Sequence, residues 1–386
     1  MSWQTYRLGD VITLKRGYDL PEAQRQDGEV PVVSSSGITG YHDEPKAKAP
    51  GVVTGRYGTL GEVFYVEQDY WPLNTALYVT DFKGNHPRFV AYFLQNVLRN
   101  YQSDKAAVPG VNRNDLHDMM VRSTDRRSQE RIADILSAYD DLIENNRRRM
   151  ALLEEAARQL YREWFVRLRF PGHEHIYITN NVPQGWEIRP LQEVCCEEHG
   201  IQTGPFGSQL HQSDYTAEGI PVVMPKDLIN FRIATDDIAR IPEALCEQLS
   251  RHTLQPGDII YGRRGDIGRR AFITVRQAGW LCGTGCLRLR PNLAVIDARY
   301  LFDALGRPET AGAIAARAQG ATMPNLNSKV MASVPIVVPP RNFQGHYSDL
   351  VAANLEIIEN LAEQNTRLKQ ARDLLLPKLM SGEIAV

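Results

Sequence analysis

The residues most suggestive of chemistry lie at 258–273, DIIYGRRGDIGRRAFI, where glycines at 262, 265 and 268 alternate with Arg263, Arg264, Arg269 and Arg270. A glycine-rich turn with cationic side chains is what a phosphate cradle needs. The spacing here is G-x-x-G-x-x-G, however, and the residues that follow are strand-like, whereas a dinucleotide fingerprint runs strand, G-x-G-x-x-G, helix. A β-hairpin whose glycines permit positive φ is the plainer reading. The alternative it leaves open is a hairpin that also presents arginines to nucleic-acid phosphates. Cys282 and Cys286 are spaced C-x₃-C, and Cys195, Cys196 and Cys246 are scattered. A structural zinc site shows paired short spacings with further ligands nearby, so buried reduced thiols are expected and no metal site. His173 and His175 sit in a polar stretch and read as solvated. The nearest approach to the Asn/Asp-Pro-Pro-aromatic tetrapeptide of adenine methyltransferases is VPPR at 338–341, which lacks both the amide and the ring. The P-loop, Gly-x-Ser-x-Gly and His-Glu-x-x-His patterns are missing from the sequence.

The elements that would position these groups follow from length and repetition. A chain of 386 residues is expected to hold two or three domains. Its 43% hydrophobic and 23% charged content is that of a globular protein, and no apolar run approaches the ~18 residues of a membrane span. The start MSWQTYRLGD does not resemble a secretory signal, and five scattered cysteines make no disulfide framework, so a reducing cytoplasm is expected. A net charge of −2 argues mildly against a free-standing nucleic-acid binder, although net charge says nothing of local patches.

The sequence is written twice. TGRYGTLGEVFYV (54–66) and YGRRGDIGRRAFI (261–273) share Gly-Arg-x-Gly-x-x-Gly, so that Gly55, Gly58 and Gly61 match Gly262, Gly265 and Gly268 at a shift of 207 and Arg56 matches Arg263. WQTYRLGDV (3–11) parallels WEIRPLQEV (186–194) at 183, and VPVV (30–33) parallels IPVV (220–223) at 190. AAVPGVNRNDL (106–116) parallels ATMPNLNSKVM (321–331) at 215, and LIENN (142–146) falls on IIENL (357–361) at the same shift. A shift that grows and then holds means that insertions sit in early loops and that the rear of each copy is one rigid element.

Those rear elements read as long amphipathic helices over 129–165 and 344–376, with Pro377 ending or kinking the second. The expected seam is Ile132, Ile135, Tyr139, Leu142, Leu153 and Leu160 (with Ala156) on the first, and Tyr347, Leu350, Ile357, Leu361, Leu368 and Leu375 on the second. Asn146 and Asn354 fall at polar seam positions that could fix register. Each helix is ~50–55 Å long at 1.5 Å per residue and needs a partner to bury its stripe, most simply its own repeat. The front modules show short strands (GVVTG, GEVFYV, IPVVM, DIIYG) and helical stretches at 88–98 and 300–306, an α+β pattern; 171–185 is a polar linker.

With these residues in view, the chain resembles the specificity subunits of type I restriction–modification systems over essentially its whole length. The resemblance rests on LLLPKLMSGEI (374–384), ARQLYREWFVRLRFPG (157–172), the Trp-x₄-Leu-x-x-Val starts and the paired PGVN and PNLN segments. It departs in a shorter first module that lacks the second's arginine cluster. The resemblance implies two target-recognition domains (1–125 and 186–340) alternating with helical spacers (126–170 and 341–386), the linker at 171–185, and an antiparallel coiled coil with an internal pseudo-twofold. It also implies a subunit that is not itself an enzyme. Such a subunit binds a bipartite double-stranded DNA site and holds two methyltransferase subunits and the restriction subunits, with S-adenosylmethionine and ATP used by those partners. Under it, Arg56, Arg263, Arg264, Arg269 and Arg270 are the candidate DNA contacts. Two rivals remain at this point: a duplicated coiled-coil adaptor without DNA specificity, and an enzyme such as a nuclease with an unrecognised site.

Overall fold

The structure is a computed structural model, described here for residues 3–56, 62–99, 112–263, 268–318 and 326–386. Gly58, Gly61, Arg264, Gly265 and most of the PGVN and PNLN segments lie outside the described residues. The chain divides into two compact units: Met1–Met150 together with Ile358–Val386, and Ala151–Ile357.

The first unit opens with β1 (Gln4–Arg7) and the short helix α1 (Leu8–Val11), followed by β2 (Thr13–Arg16), β3 (Val30–Ser34), β4 (Gly37–His42), β5 (Gly51–Gly55), β6 (Val63–Val66), β7 (Trp71–Pro72) and β8 (Ala76–Asp81). Helices α2 (Pro87–Arg99) and α3 (Arg113–Asp118) precede β9 (Met120–Ser123) and the long α4 (Arg126–Tyr161). One sheet has the order β2-β8-β5-β6, a second β4-β3-β7, and β1 pairs with β9. Val52, Leu77 and Val79 bury against α2, whose Phe89, Val90, Phe93 and Leu94 are all inward, while the alternate residues Val53 and Tyr78 enter a second core with Val33 and Tyr70.

The second unit repeats this plan. After a hairpin of β10 (Ile178–Thr179) and β11 (Val182–Pro183), which gives part of the expected linker regular structure, come β12 (Glu187–Pro190), α5 (Leu191–Val194), β13 (Ile201–Thr203) and β14 (Ile220–Val223). Next are β15 (Leu228–Ile229), β16 (Arg232–Ile233), β17 (Ala239–Ile241), α6 (Glu243–Gln248), β18 (Ile259–Gly262), β19 (Arg270–Phe272), β20 (Leu281–Cys282) and β21 (Cys286–Leu289). Helices α7 (Ala298–Ala304), α8 (Pro308–Arg317) and α9 (Ser328–Ala332) lead to β22 (Pro335–Val338) and α10 (Arg341–Ser381). The sheet orders are β13-β21-β18-β19 and β17-β14-β20, and β12 pairs with β22. Even the unusual parallel pairs correspond, β3 with β7 and β14 with β20. Asn112 and Asn327, 215 residues apart, cap α3 and α9 by accepting from Asn114 N–H and Val330 N–H. The duplication seen in sequence is therefore a duplication of topology.

Both long helices form, and in the first unit their segments run antiparallel. In the first unit Asn146, only 1% exposed, donates to Asn365 Oδ1 at 3.0 Å, while Asn365 donates to the carbonyl of Ile143 at 3.3 Å. Further along the same pair, Arg372 bridges Asp140 at 2.5 Å. In the second unit Tyr161 meets Tyr347 edge to face at 5.8 Å.

Burial divides the residues expected at the seam into an inward and an outward set. Ile132, Tyr347 and Leu361 are buried and Tyr139, Leu153, Leu160, Leu368 and Leu375 half-buried, but Ile135, Leu142, Leu350 and Ile357 are exposed. The inward residues are the next ones along: Leu136, Ile143, Val351 and Ile358. These apolar residues come as doublets, and a seam stepping alternately by four and three from Ile132 selects the second of each. Ala156 is likewise exposed, with Ala157 inward. Of the two polar seam positions, Asn146 is buried, while Asn354 is half-buried. Pro377 does not end α10, which continues to Ser381 because Leu376, Leu379 and Met380 are buried in the first unit's core. In that unit Gly382, at φ +78°, lies so close to Trp3 that a Cβ would stand 2.3 Å from the indole nitrogen. The other tryptophan start is used the same way: Trp186 stacks within 5.2 Å of Phe170 and 5.8 Å of Phe165, beyond the end of α4.

Candidate nucleic-acid interface

The strand order decides which loops meet. In the first unit Arg16 pairs with Leu77, and Gly55 with Ala76, so the end of β2, the end of β5 and the turn before β8 share one end of the sheet. The backbone locks them there: Gly17 N–H donates to Ala76 O (3.1 Å), Tyr18 N–H to Pro72 O (2.8 Å) and Arg56 N–H to Thr75 O (3.0 Å). Arg16 Nε and Arg56 Nη1 both donate to Asn74 O at 3.2 Å, and the Asn74 amide reaches the Asp19 carboxylate. Ser35 lies against Gly55, and Ser36 beside it is exposed. Lys15 Nζ donates to the Tyr18 hydroxyl at 3.2 Å and lies 5.2 Å from its ring centre. The hydrogen bond from Tyr78, helped by Lys15, holds the Tyr18 pKa below that of an ordinary phenol. Arg16 and Arg56 thus meet at Asn74, whose amide holds Asp19, with Lys15 on Tyr18 and Ser35 against Gly55 nearby. Such side chains bind phosphate oxygens and base edges.

The second unit builds the same end from different side chains. Gly204 N–H donates to Cys286 O (3.0 Å) and Arg263 N–H to Gly285 O (2.9 Å), repeating the Gly17 and Arg56 bonds. Thr284 takes the place of Asn74 and donates to Pro205 O at 3.0 Å. A Cβ on Gly17 would stand 2.2 Å from Leu73 O, and one on Gly204 2.0 Å from Gly283 O, so both positions demand glycine for the same close approach. Phe206, next along, is 58% exposed at a turn tied by Gln209 N–H to Phe206 O.

The arginines singled out from sequence separate into distinct roles. Arg56 is half-buried at the loop cluster. Arg269 is exposed. Arg263 and Arg270, each 9% exposed, are corrected from surface groups to internal braces. Arg263 donates from Nε to Leu326 O at 3.1 Å. Arg270 donates to Phe302 O at 3.2 Å and lies 4.8 and 4.9 Å from the rings of Phe231 and Phe302. Burial pulls the Arg270 pKa down, against the opposing pull of Tyr261 and Asp303. Arg263 follows β18 and Arg270 opens β19, strands that pair antiparallel as β5 and β6 do in the first unit. Sequence reasoning missed Arg16, Asn74 and the glycines 17 and 204. The signal was present, since RGYD and TGPF lie 187 residues apart, between the shifts of their neighbours.

Four of the five cysteines are buried, and burial pushes the Cys195 and Cys282 thiols up to about 12. Among the described residues no group of three or more His, Cys, Asp and Glu side chains is placed to hold a metal ion. Among the same residues no helix is long and apolar enough to cross a membrane.

The chain is thus a duplicated α+β protein with long helices and, in its first unit, a cationic loop cluster. Comparison with known proteins places it among others. Residues 1–155 match the family described as type I restriction modification DNA specificity domain. The chain is 26% identical over 296 residues to the type I restriction enzyme MjaIX specificity subunit of Methanocaldococcus jannaschii, covering 74% of this chain and 65% of that one. It is 20% identical over 308 residues to the MjaVIII specificity subunit of the same organism, covering 77% and 70%. Its fold matches the type I restriction-modification system S subunit from M. genitalium with a TM-score of 0.58 at 16% identity, covering 98% and 96% of the two chains. Residues 1–155 thus match that specificity-domain family, and about three quarters of the chain is similar in sequence to type I specificity subunits.

Proposed function

We propose that the chain is the DNA-reading subunit of a type I restriction–modification complex, and that each unit reads one half of a bipartite, asymmetric site. The observation that carries this is the twice-built loop cluster. The same sheet end is locked by the same backbone bonds in both units, yet it displays Arg16, Asn74 and Asp19 in one and Phe206 and Thr284 in the other. One architecture presenting two different surfaces is what two unlike half-sites require. The cations set position through phosphates, and asparagine, serine and arginine read base edges. Catalysis belongs to partners: two methyltransferase subunits using S-adenosylmethionine, and ATP-driven restriction subunits. The chain itself needs no cofactor and works in the cytoplasm. Helices of 36 and 41 residues, ~54 and ~62 Å long, act as the spacer that fixes the gap between half-sites.

The test is to co-express the chain with its methyltransferase subunit and map methylated adenines. Two half-sites with a fixed gap are expected, and a four-residue insertion in α4, about one turn or ~6 Å, lengthens that gap. A complex that neither forms nor shifts duplex DNA refutes the reading and returns the adaptor. Metal-dependent cleavage by the isolated chain returns the nuclease.

A further inference from the structure

The loop after β13 holds an apolar side chain out of the core on a backbone pinned at every step. Gly204 N–H donates to Cys286 O and Thr284 Oγ to Pro205 O, both at 3.0 Å. Phe206 N–H donates to Gln209 Oε1 at 3.3 Å, and Phe206 O accepts from Gln209 N–H at 2.8 Å and Leu210 N–H at 3.2 Å. Leu210 anchors the turn in a core with Val222 and Ile241. Of the eleven phenylalanines only Phe206 and Phe231 are exposed, and Phe231 is covered by Arg270 and meets Phe302. Phe206, at 58% the more exposed, has no ring or cation over it among the described residues.

Two neighbours suit a nucleic-acid partner. Gln209 Oε1 also accepts from Arg251 Nη2 at 3.3 Å, which ties an exposed guanidinium to the same turn. At Gly207 a Cβ would meet nothing within 4 Å, and φ lies outside the left-handed region, so the turn itself does not demand glycine. Glycine also serves where a ligand approaches the backbone closely.

In the first unit the same position carries a carboxylate. RGYD and TGPF correspond, so Asp19 stands where Phe206 does, behind a glycine whose N–H makes the equivalent bond. Asp19 accepts from the Asn74 amide. Such a pair suits base edges, whereas the side chains that enter a base stack are apolar. A phenyl ring on the same backbone frame therefore faces a base edge too. The apolar group on a major-groove edge is the thymine C5-methyl.

We propose that Phe206 is a specificity-determining residue of the second unit, its ring set against the methyl of one thymine, with Gly207 leaving room for the DNA. This rests on the DNA reading given above.

The test uses the complex with the methyltransferase subunit and duplexes carrying its mapped site, in which each thymine in turn is replaced by uracil, which lacks only the methyl. One replacement, in one half-site, weakens binding by the parent about fourfold, the scale of one buried methyl. Phe206→Ala melts within a few degrees of the parent and is indifferent to that replacement, while base-pair changes in the other half-site cost it what they cost the parent. Gly207→Ala, equally stable, binds the unmodified duplex about tenfold more weakly. The proposal is overturned if no thymine methyl matters to the parent, if the methyl effect survives in Phe206→Ala, or if Gly207→Ala binds as tightly as the parent. Each of those results leaves the DNA reading standing. A parent complex that shifts no duplex at all sinks that reading, and this proposal with it.

Discussion

Replacing Arg270 with alanine separates an internal brace from a DNA contact. The guanidinium donates to Phe302 O and lies over two aromatic rings while 9% exposed. A hydrogen bond from a charged donor contributes about 1.5–3 kcal/mol, and a cation–π contact out of water about 1–2 kcal/mol. Because these groups share partners, their loss sums to less than the parts, and about 3–5 kcal/mol is expected for the second unit. A unit of this size loses ~2–4 °C of melting temperature per kcal/mol, so its transition falls by ~6–20 °C. Arg269→Ala, at the exposed neighbour, leaves that transition within a few degrees. If Arg269 meets a phosphate, its loss reduces the salt slope of DNA binding by ~0.9, compressing the affinity ratio between 50 and 200 mM salt about 3.5-fold. Calorimetry and a salt series of binding isotherms on the two variants decide the matter. An Arg270→Ala protein that melts like the parent but has a flatter salt slope would refute the assignment of Arg270 to the interior.

Three further outcomes follow from the same geometry. Gly17→Ala and Gly204→Ala, each forcing a Cβ to ~2 Å from a backbone carbonyl, should cost about 1–3 kcal/mol in urea unfolding and weaken DNA binding by disarranging the loop cluster. Asn146→Ala should cost about 1–3 kcal/mol, and in a double-mutant cycle with Asn365→Ala the two losses should fall short of additivity by about 0.5–3 kcal/mol; strict additivity would deny their pairing. His252 is 1% exposed, and burial lowers its pKa from 6.5 to about 4. The fold therefore disfavours its protonation. The stability this confers is full above pH 6.5 and is lost as pH falls from there toward 4. His252→Gln should flatten the unfolding free energy in that window relative to the parent, and identical slopes would show that the imidazole is not what titrates.

The duplication was legible because its signals are local. Trp starts, Gly-Arg turns and Asn caps recur in order, and each is fixed by a short-range need such as a cap at Asn112 or a strand end at Gly55. The long helices were legible from periodicity, but at apolar doublets such as Leu142-Ile143 and Ile357-Ile358 the choice of inward residue depends on the row set several turns away. Pro377 does not stop the helix because burial of Leu379 and Met380 outweighs the proline, a tertiary effect invisible in the local sequence. The loop cluster could not be assembled from sequence because Arg16, Arg56 and Asn74 are joined only by the strand order. Arg263 and Arg270 looked like a cationic surface because side-chain type gives charge and not direction. Only Leu326 and Phe302, more than thirty residues on, show where they point.

The first unit is built from both ends of the chain, whereas the second is one uninterrupted stretch. During synthesis the order of completion is therefore inverted. Residues 151–357 have emerged in full while the earlier-made unit still lacks Leu376, Leu379 and Met380, and it must wait with that apolar surface uncovered until the last turns of α10 leave the ribosome. Termination between Ile358 and Met380 would injure the opening module, not the one translated before it.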